Sequence, residues 1–167
     1  MIWGLTESTF TTVHVVLSLI GIGSGLVVMF GLLGGKERPR WTVLFLATTV
    51  ATSVTGFGFP FDHLLPSHKV GIVSLVVLAA ASVARYARHL AGASRRIYVA
   101  SAGIALYLNV FVGVVQAFQK VPPLTAVAPH QTEAPFVITQ VVVLAVFIGL
   151  TVAAARRFRG DPVRPAP

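Results

Sequence analysis

The chain has 167 residues, 55% hydrophobic and 11% charged; a soluble domain carries roughly 25% charged residues, so an ordinary water-soluble fold is excluded, and the length allows one domain. A net charge of +8 would suit nucleic acid, but the basic residues cluster in short segments between apolar stretches, where they set orientation or meet anionic headgroups, and no nucleic-acid partner is expected. The absence of cysteine excludes disulfides, iron–sulfur clusters, thiolate copper sites and covalent c-type haem.

Five apolar stretches follow one another, each about as long as the 20 residues a membrane crossing needs. The first, Phe10–Leu33, has no Lys or Arg before it, so it reads as a retained helix and not as a signal peptide. Gly21 and Gly25 within it form a small-xxx-small pair that allows close helix approach, and His14, Ser18, Gly21 and Gly25 share a face. The second, Trp41–Phe59, ends at Pro60, because the residue before proline resists helical geometry; Thr48, Thr52 and Thr55 share a face of it. The third, Ser67–Arg85, starts after Pro66, which suits a first helical turn. The fourth, Arg96–Phe118, carries a stripe of small and polar residues: Ser101, Ala105, Asn109, Gly113, Gln116 and, just beyond it, Lys120. The fifth, Pro135–Ala155, follows Thr132 and Glu133, residues suited to an N-terminal cap. Trp41, Tyr86 and Tyr98 are expected at one membrane interface. The expected fold is an all-α integral membrane protein, a single five-helix transmembrane domain over 1–159 with a disordered cytoplasmic tail at 160–167.

Charge fixes the expected orientation. Lys36–Arg40, Arg85–Arg96 and Arg156–Arg164 hold eleven of the thirteen basic residues, and Lys69 and Lys120 are the other two. Short basic loops stay cytoplasmic. The N-terminus is therefore expected outside and the C-terminus in the cytoplasm of a bacterial inner membrane. His14, His63, His68 and His130 then fall on the outer side.

The polar residues are unevenly distributed in depth. Ser18, Thr52, Thr55, Gln116 and Gln140 fall with His14 and His68 in the outer half, and Asn109 near the middle. Polar side chains facing lipid are costly, so these should face the bundle interior and form a polar cavity open to the outer face. His14 and His68, on different spans, are the candidate cofactor ligands. His14, His63, His68, His130 and Glu133 are the candidate metal ligands, because neutral imidazole and carboxylate are common donors. Two histidines on facing helices can also hold a b-type haem axially. The bland alternatives are hydrogen bonding at the membrane surface for the histidines and interhelical bonding for Asn109 and Gln140. The aromatic stretch around Phe57, Phe59 and Phe61 could pack as a helix end or meet a quinone or lipid tail.

The segment Tyr107–Pro135, with Leu-Asn-Val-Phe-Val followed by Ala-Pro-His-Gln-Thr-Glu-Ala-Pro-Phe, and Thr-Gly-Phe-Gly-Phe-Pro-Phe at Thr55–Phe61, resemble a family of small bacterial multi-span membrane proteins without an assigned function. The resemblance implies a membrane fold and carries no ligand or reaction.

Three readings compete. The first is a membrane protein with a periplasm-facing, histidine-lined site for a transition metal or haem b, serving electron transfer or metal handling. The second is a non-catalytic accessory subunit of a larger membrane complex or a homo-oligomer. The third is a small-solute transporter or channel, which the lack of any acidic residue within a span disfavours. No nucleophile–base pair or paired carboxylates support hydrolysis, so an enzyme is the least supported class.

Overall fold

The computed structural model describes residues 1–59 and 66–158, and these are predominantly helical, without a named strand. The helices are α1 (Glu7–Leu33), α2 (Pro39–Gly56), α3 (Pro66–Ser82, continued by a π-helical turn at Val83–Ala87), α4 (Ser94–Lys120), the short α5 (Pro122–Val127) and α6 (Ala134–Arg157). Four of them, over Glu7–Leu33, Ser67–Ala87, Ser94–Lys120 and Ala134–Arg157, are long and apolar enough to cross a membrane. The 18-residue α2 is more polar, because five threonines and Arg40 dilute its apolar residues. The expected tail at 160–167 and His63 lie outside the described residues.

Local chemistry sets the helix ends. At the start of α1, the Thr6 hydroxyl accepts from the Thr9 N–H at 3.2 Å, and Glu7 sits in the first turn, where an acid opposes the helix dipole. The same helix closes in a Schellman motif. Gly35 has φ +71°, which glycine adopts without strain, and Lys36 N–H reaches back to Gly31 O at 2.9 Å. Pro39 starts α2 without leaving an unmet donor. Arg156 and Arg157 end α6 on the favourable side of the dipole.

The helices form an up-and-down bundle. α1 packs on α2 and α4, and α3 packs on the same two helices, so these four close a ring with α1 and α3 on a diagonal. α6 lies outside the ring against α4 and α1. The α1–α2 hairpin is in register along its whole length. A Cβ on Gly31 would meet Arg38, one on Gly25 would meet Phe45, one on Gly21 would meet Thr49, and one on Gly58 would meet Phe10. The polar α2 therefore lies alongside the apolar α1.

One half of the ring is filled. Val28, Met29, Leu32, Phe45, Leu46, Leu78, Tyr98, Val99 and Leu106 form a continuous buried core there. Gly25 is what lets it close, since a Cβ at that position would lie 2.6 Å from Leu106 Cδ1 and 2.9 Å from the Phe45 ring. Tyr98 is fully buried within the protein, unlike the exposed Trp41 and Tyr86, and shares a 3.1 Å hydrogen bond with Thr42 Oγ1. Its hydroxyl can be buried because α2 supplies a partner. At the same end, Glu37 in the α1–α2 turn forms an ion pair with Arg85 of the π-helical turn.

Candidate functional site

The other half of the ring is hollow. A cavity of about 490 Å³ runs between α1, α2, α3 and α4. It extends from Asn109 to Lys120 on α4, about 16 Å of helix rise. The filled core closes it at the Asn109 end. Its walls carry small and polar residues that recur at helical spacing: Thr49, Ser53 and Gly56 on α2, His68, Gly71 and Ser74 on α3, and Asn109, Gly113 and Gln116 on α4. Where facing helices turn short side chains inward, the backbones hold space that the side chains do not fill.

The floor is polar. Asn109 is 8% exposed and Thr49 1%. The Asn109 Nδ2, Thr49 Oγ1 and Thr52 Oγ1 atoms are all buried without a hydrogen-bond partner. Gly21 of α1 packs against the first two, and a Cβ there would lie 2.8 Å from Asn109 Nδ2 and 3.0 Å from Thr49 Oγ1; Thr52 stands nearly one helical turn further along α2. By contrast, Ser53 Oγ lies 2.9 Å from Thr49 O and 3.2 Å from Ser74 Oγ, which satisfies that part of the wall.

The upper part holds both candidate cofactor ligands. His14 Nδ1 is 2.8 Å from Thr55 Oγ1, and that hydroxyl donates its one hydrogen to Ala51 O, also at 2.8 Å. A neutral His14 with its proton on Nδ1 satisfies both contacts at once. Phe59 stands edge-on to the His14 ring with centroids 5.2 Å apart. His68 is 3% exposed and stacks on Phe57 at 5.4 Å. Gly71 lies beneath that ring, where a Cβ would come within 3.3 Å of Phe57. Lys120 completes the rim, and no acidic side chain among the described residues lines the cavity.

The sequence-derived candidates divide cleanly. His14, His68, Ser18, Thr52, Asn109 and Gln116 line this one cavity, and Thr55 stands behind His14. Three candidates are corrected. Gln140 lies on α6, outside the ring, where its Nε2 donates to Phe111 O at 3.2 Å and ties α6 to α4. His130 and Glu133 lie in the α5–α6 connection and serve each other: the Glu133 carboxylate accepts from the backbone N–H of His130 at 3.1 Å and of Thr132 at 3.0 Å. They are absent from the cavity because α5 and its connection carry the chain away from the rim. Among the described residues no three His, Asp or Glu side chains gather as a metal site, so the five-residue metal set is not assembled there. What little desolvation the loop imposes raises the Glu133 pKa, but the N–H groups of Glu133 itself, His130 and Thr132 outweigh it, and the pKa lies below the usual value.

Sequence reasoning missed Thr49, Ser53 and Ser74 on the cavity wall. The available signal was their helical spacing, which continues the face of Gly56 on α2 and of His68 and Gly71 on α3. It also missed the Glu37–Arg85 pair, because Arg85 was read only as part of a basic segment and Glu37 was not singled out. No known protein family matches this chain, and neither a curated protein nor a solved structure resembles it.

Proposed function

We propose that this chain is a multi-pass protein of the bacterial inner membrane whose four-helix ring binds one small, mainly apolar molecule from the periplasmic side. The observation that carries this reading is the cavity itself, walled by both polar and apolar side chains of four helices and bounded at one end by the filled core. The volume of about 490 Å³ falls in the range of small-molecule sites, roughly 300–1,000 Å³.

The reading includes five crossings with the N-terminus outside. In support, α2 lies alongside α1 over its full length, so a membrane that contains one contains the other. The unequal charge of the connections supports the orientation. The rim with His14, His68 and Lys120 then opens to the periplasm.

The test is organic extraction of the purified protein followed by mass spectrometry. One small molecule per chain is the expected result. An extract holding only bulk lipid contradicts it.

A second reading rests on a separate observation. His14 and His68 line the cavity from diagonal helices, and Thr55 holds the His14 ring through Nδ1. Imidazoles that ligate a metal are oriented through the other ring nitrogen in this way, and bundle cores hold haem between facing helices. A haem or transition metal there would make the protein an electron carrier or a metal handler. A Soret band or stoichiometric metal in the purified protein selects this reading, and a chain that carries no small molecule, haem or metal is left as an accessory subunit.

A further inference from the structure

We propose that the molecule in the ring is a single-chain amphiphile with one acidic headgroup, a carboxylate or a phosphate, whose chain lies in the cavity and whose head meets Lys120 at the rim. The proposal rests on the binding reading above and names its ligand class. Charge gives the first argument. Among the described residues the cavity lining includes Lys120 and no acid. The acids of the described residues stand elsewhere. Glu7 is in the first turn of α1, Glu37 pairs with Arg85 at the other end of the bundle, and Glu133 accepts from the N–H groups of His130 and Thr132.

The placement of the outer lysines gives the second argument. On the orientation proposed above, eleven of the thirteen basic residues are cytoplasmic, and a lysine on the outer side works against the insertion bias. Lys69 and Lys120, the exceptions, both belong to ring helices at the rim end of the cavity. Lys120 lines it, and Lys69 follows the lining residue His68 in the first turn of α3, where the helix dipole also disfavours a cation. An acidic head at the rim gives both lysines a partner. The wall below the rim gives the third argument. Its polar side chains offer a ligand little. Asn109 Nδ2, Thr49 Oγ1 and Thr52 Oγ1 are buried, Ser18 Oγ donates to its own helix at His14 O, 2.9 Å away, and the Ser53 and Ser74 hydroxyls lie 3.2 Å apart, joined to each other. Leu19, Ile22, Leu108 and Val112 line the space between the rim and the filled core. About 490 Å³ spread over about 16 Å of helix rise is a narrow space that suits a hydrocarbon chain.

The experiment is titration calorimetry of the delipidated full chain in a non-ionic detergent, with each probe also titrated into detergent alone. The probes are dodecanoate, dodecyl phosphate, dodecanol and dodecyltrimethylammonium, which share the chain and differ in the head. An acid is expected to saturate at one per chain and to bind at least about fivefold more tightly than the alcohol or the ammonium, the scale of a partly exposed ion pair. The tighter of the two acids identifies the head as carboxylate or phosphate. Lys120→Gln combined with Lys69→Gln, both exposed positions, should abolish the preference for acids. Arg88→Gln, at the opposite end of the bundle, should leave it intact. Equal binding of acid and alcohol, or a preference that survives the double variant, overturns the proposal. If none of the probes binds while mass spectrometry of the purified chain shows a different stoichiometric molecule, the acidic amphiphile is wrong and the binding site stands. If nothing is bound in either experiment, both readings fall.

Discussion

Gly21 is the residue on which the cavity floor depends. Any side chain there would push into Asn109 and Thr49, so Gly21→Ala should destabilise the protein by the cost of overpacking, about 1–3 kcal/mol. Gly23, two residues away, has open space on its Cβ side, with nothing within 4 Å of where a methyl would stand, and Gly23→Ala should leave stability unchanged or raise it slightly. Thermal unfolding of the detergent-solubilised variants checks the pair, and equal losses would mean that the Gly21 face is not a contact. At Glu133 the prediction concerns pH. Its folded pKa is depressed, so its contribution is present above the unfolded carboxylate value and is lost as pH falls through the lower folded value. The amides of His130 and Thr132 should therefore be protected from hydrogen exchange at pH 7 and lose that protection, after correction for intrinsic rates, as pH falls below the ordinary carboxylate range. The same protection in Glu133→Gln at pH 7 would show that the carboxylate does not hold the loop.

At the scale of the helix, what the sequence revealed depended on whether a signal repeats. The stripe on α4 was legible because Asn109, Gly113, Gln116 and Lys120 recur at 3.6-residue spacing in an apolar background, and all four line the cavity. On α2 the same face was obscured. Thr48 and Thr49 are adjacent, and hydrogen bonding to the helix backbone occupies Thr48 while Thr49 is left for the cavity. Which of two neighbouring threonines turns inward is decided by the neighbouring helices, and that information is not local. The burial of Tyr98 was hidden for a related reason, since its partner Thr42 lies on another helix. The π-helical turn at Val83–Ala87 adds a residue to the last turns of α3 and coincides with the Arg85–Glu37 pair. Both side chains are mostly shielded, at 11% and 28% exposed. Arg85→Ala should cost about 3 kcal/mol, because it strands a shielded carboxylate. Adding Glu37→Gln to that variant should recover part of the loss. Denaturation of the single and double variants reads this directly, and simple additivity would show that the pair is not coupled.

For the whole molecule, the charge pattern and the bundle topology make one joint prediction. Alkaline phosphatase fused after residue 128 should be active, and fusions after residues 37 and 92 should be inactive, because those two connections carry the basic residues. The reverse pattern would put the rim of the cavity on the cytoplasmic side. The topology also explains why the molecule has a hollow half. Its filled half is closed by large side chains such as Phe45, Met29 and Leu106, whereas the other half is walled by many glycine, serine and threonine residues. A molecule seated there adds the packing contacts that those short side chains do not make with one another. Native mass spectrometry of the chain released from its own membrane, wild type beside Asn109→Leu, tests this most directly. The account predicts a single bound small molecule on the wild type and none on the variant. Two bare chains of equal folded stability, or the same adduct on both, would contradict it.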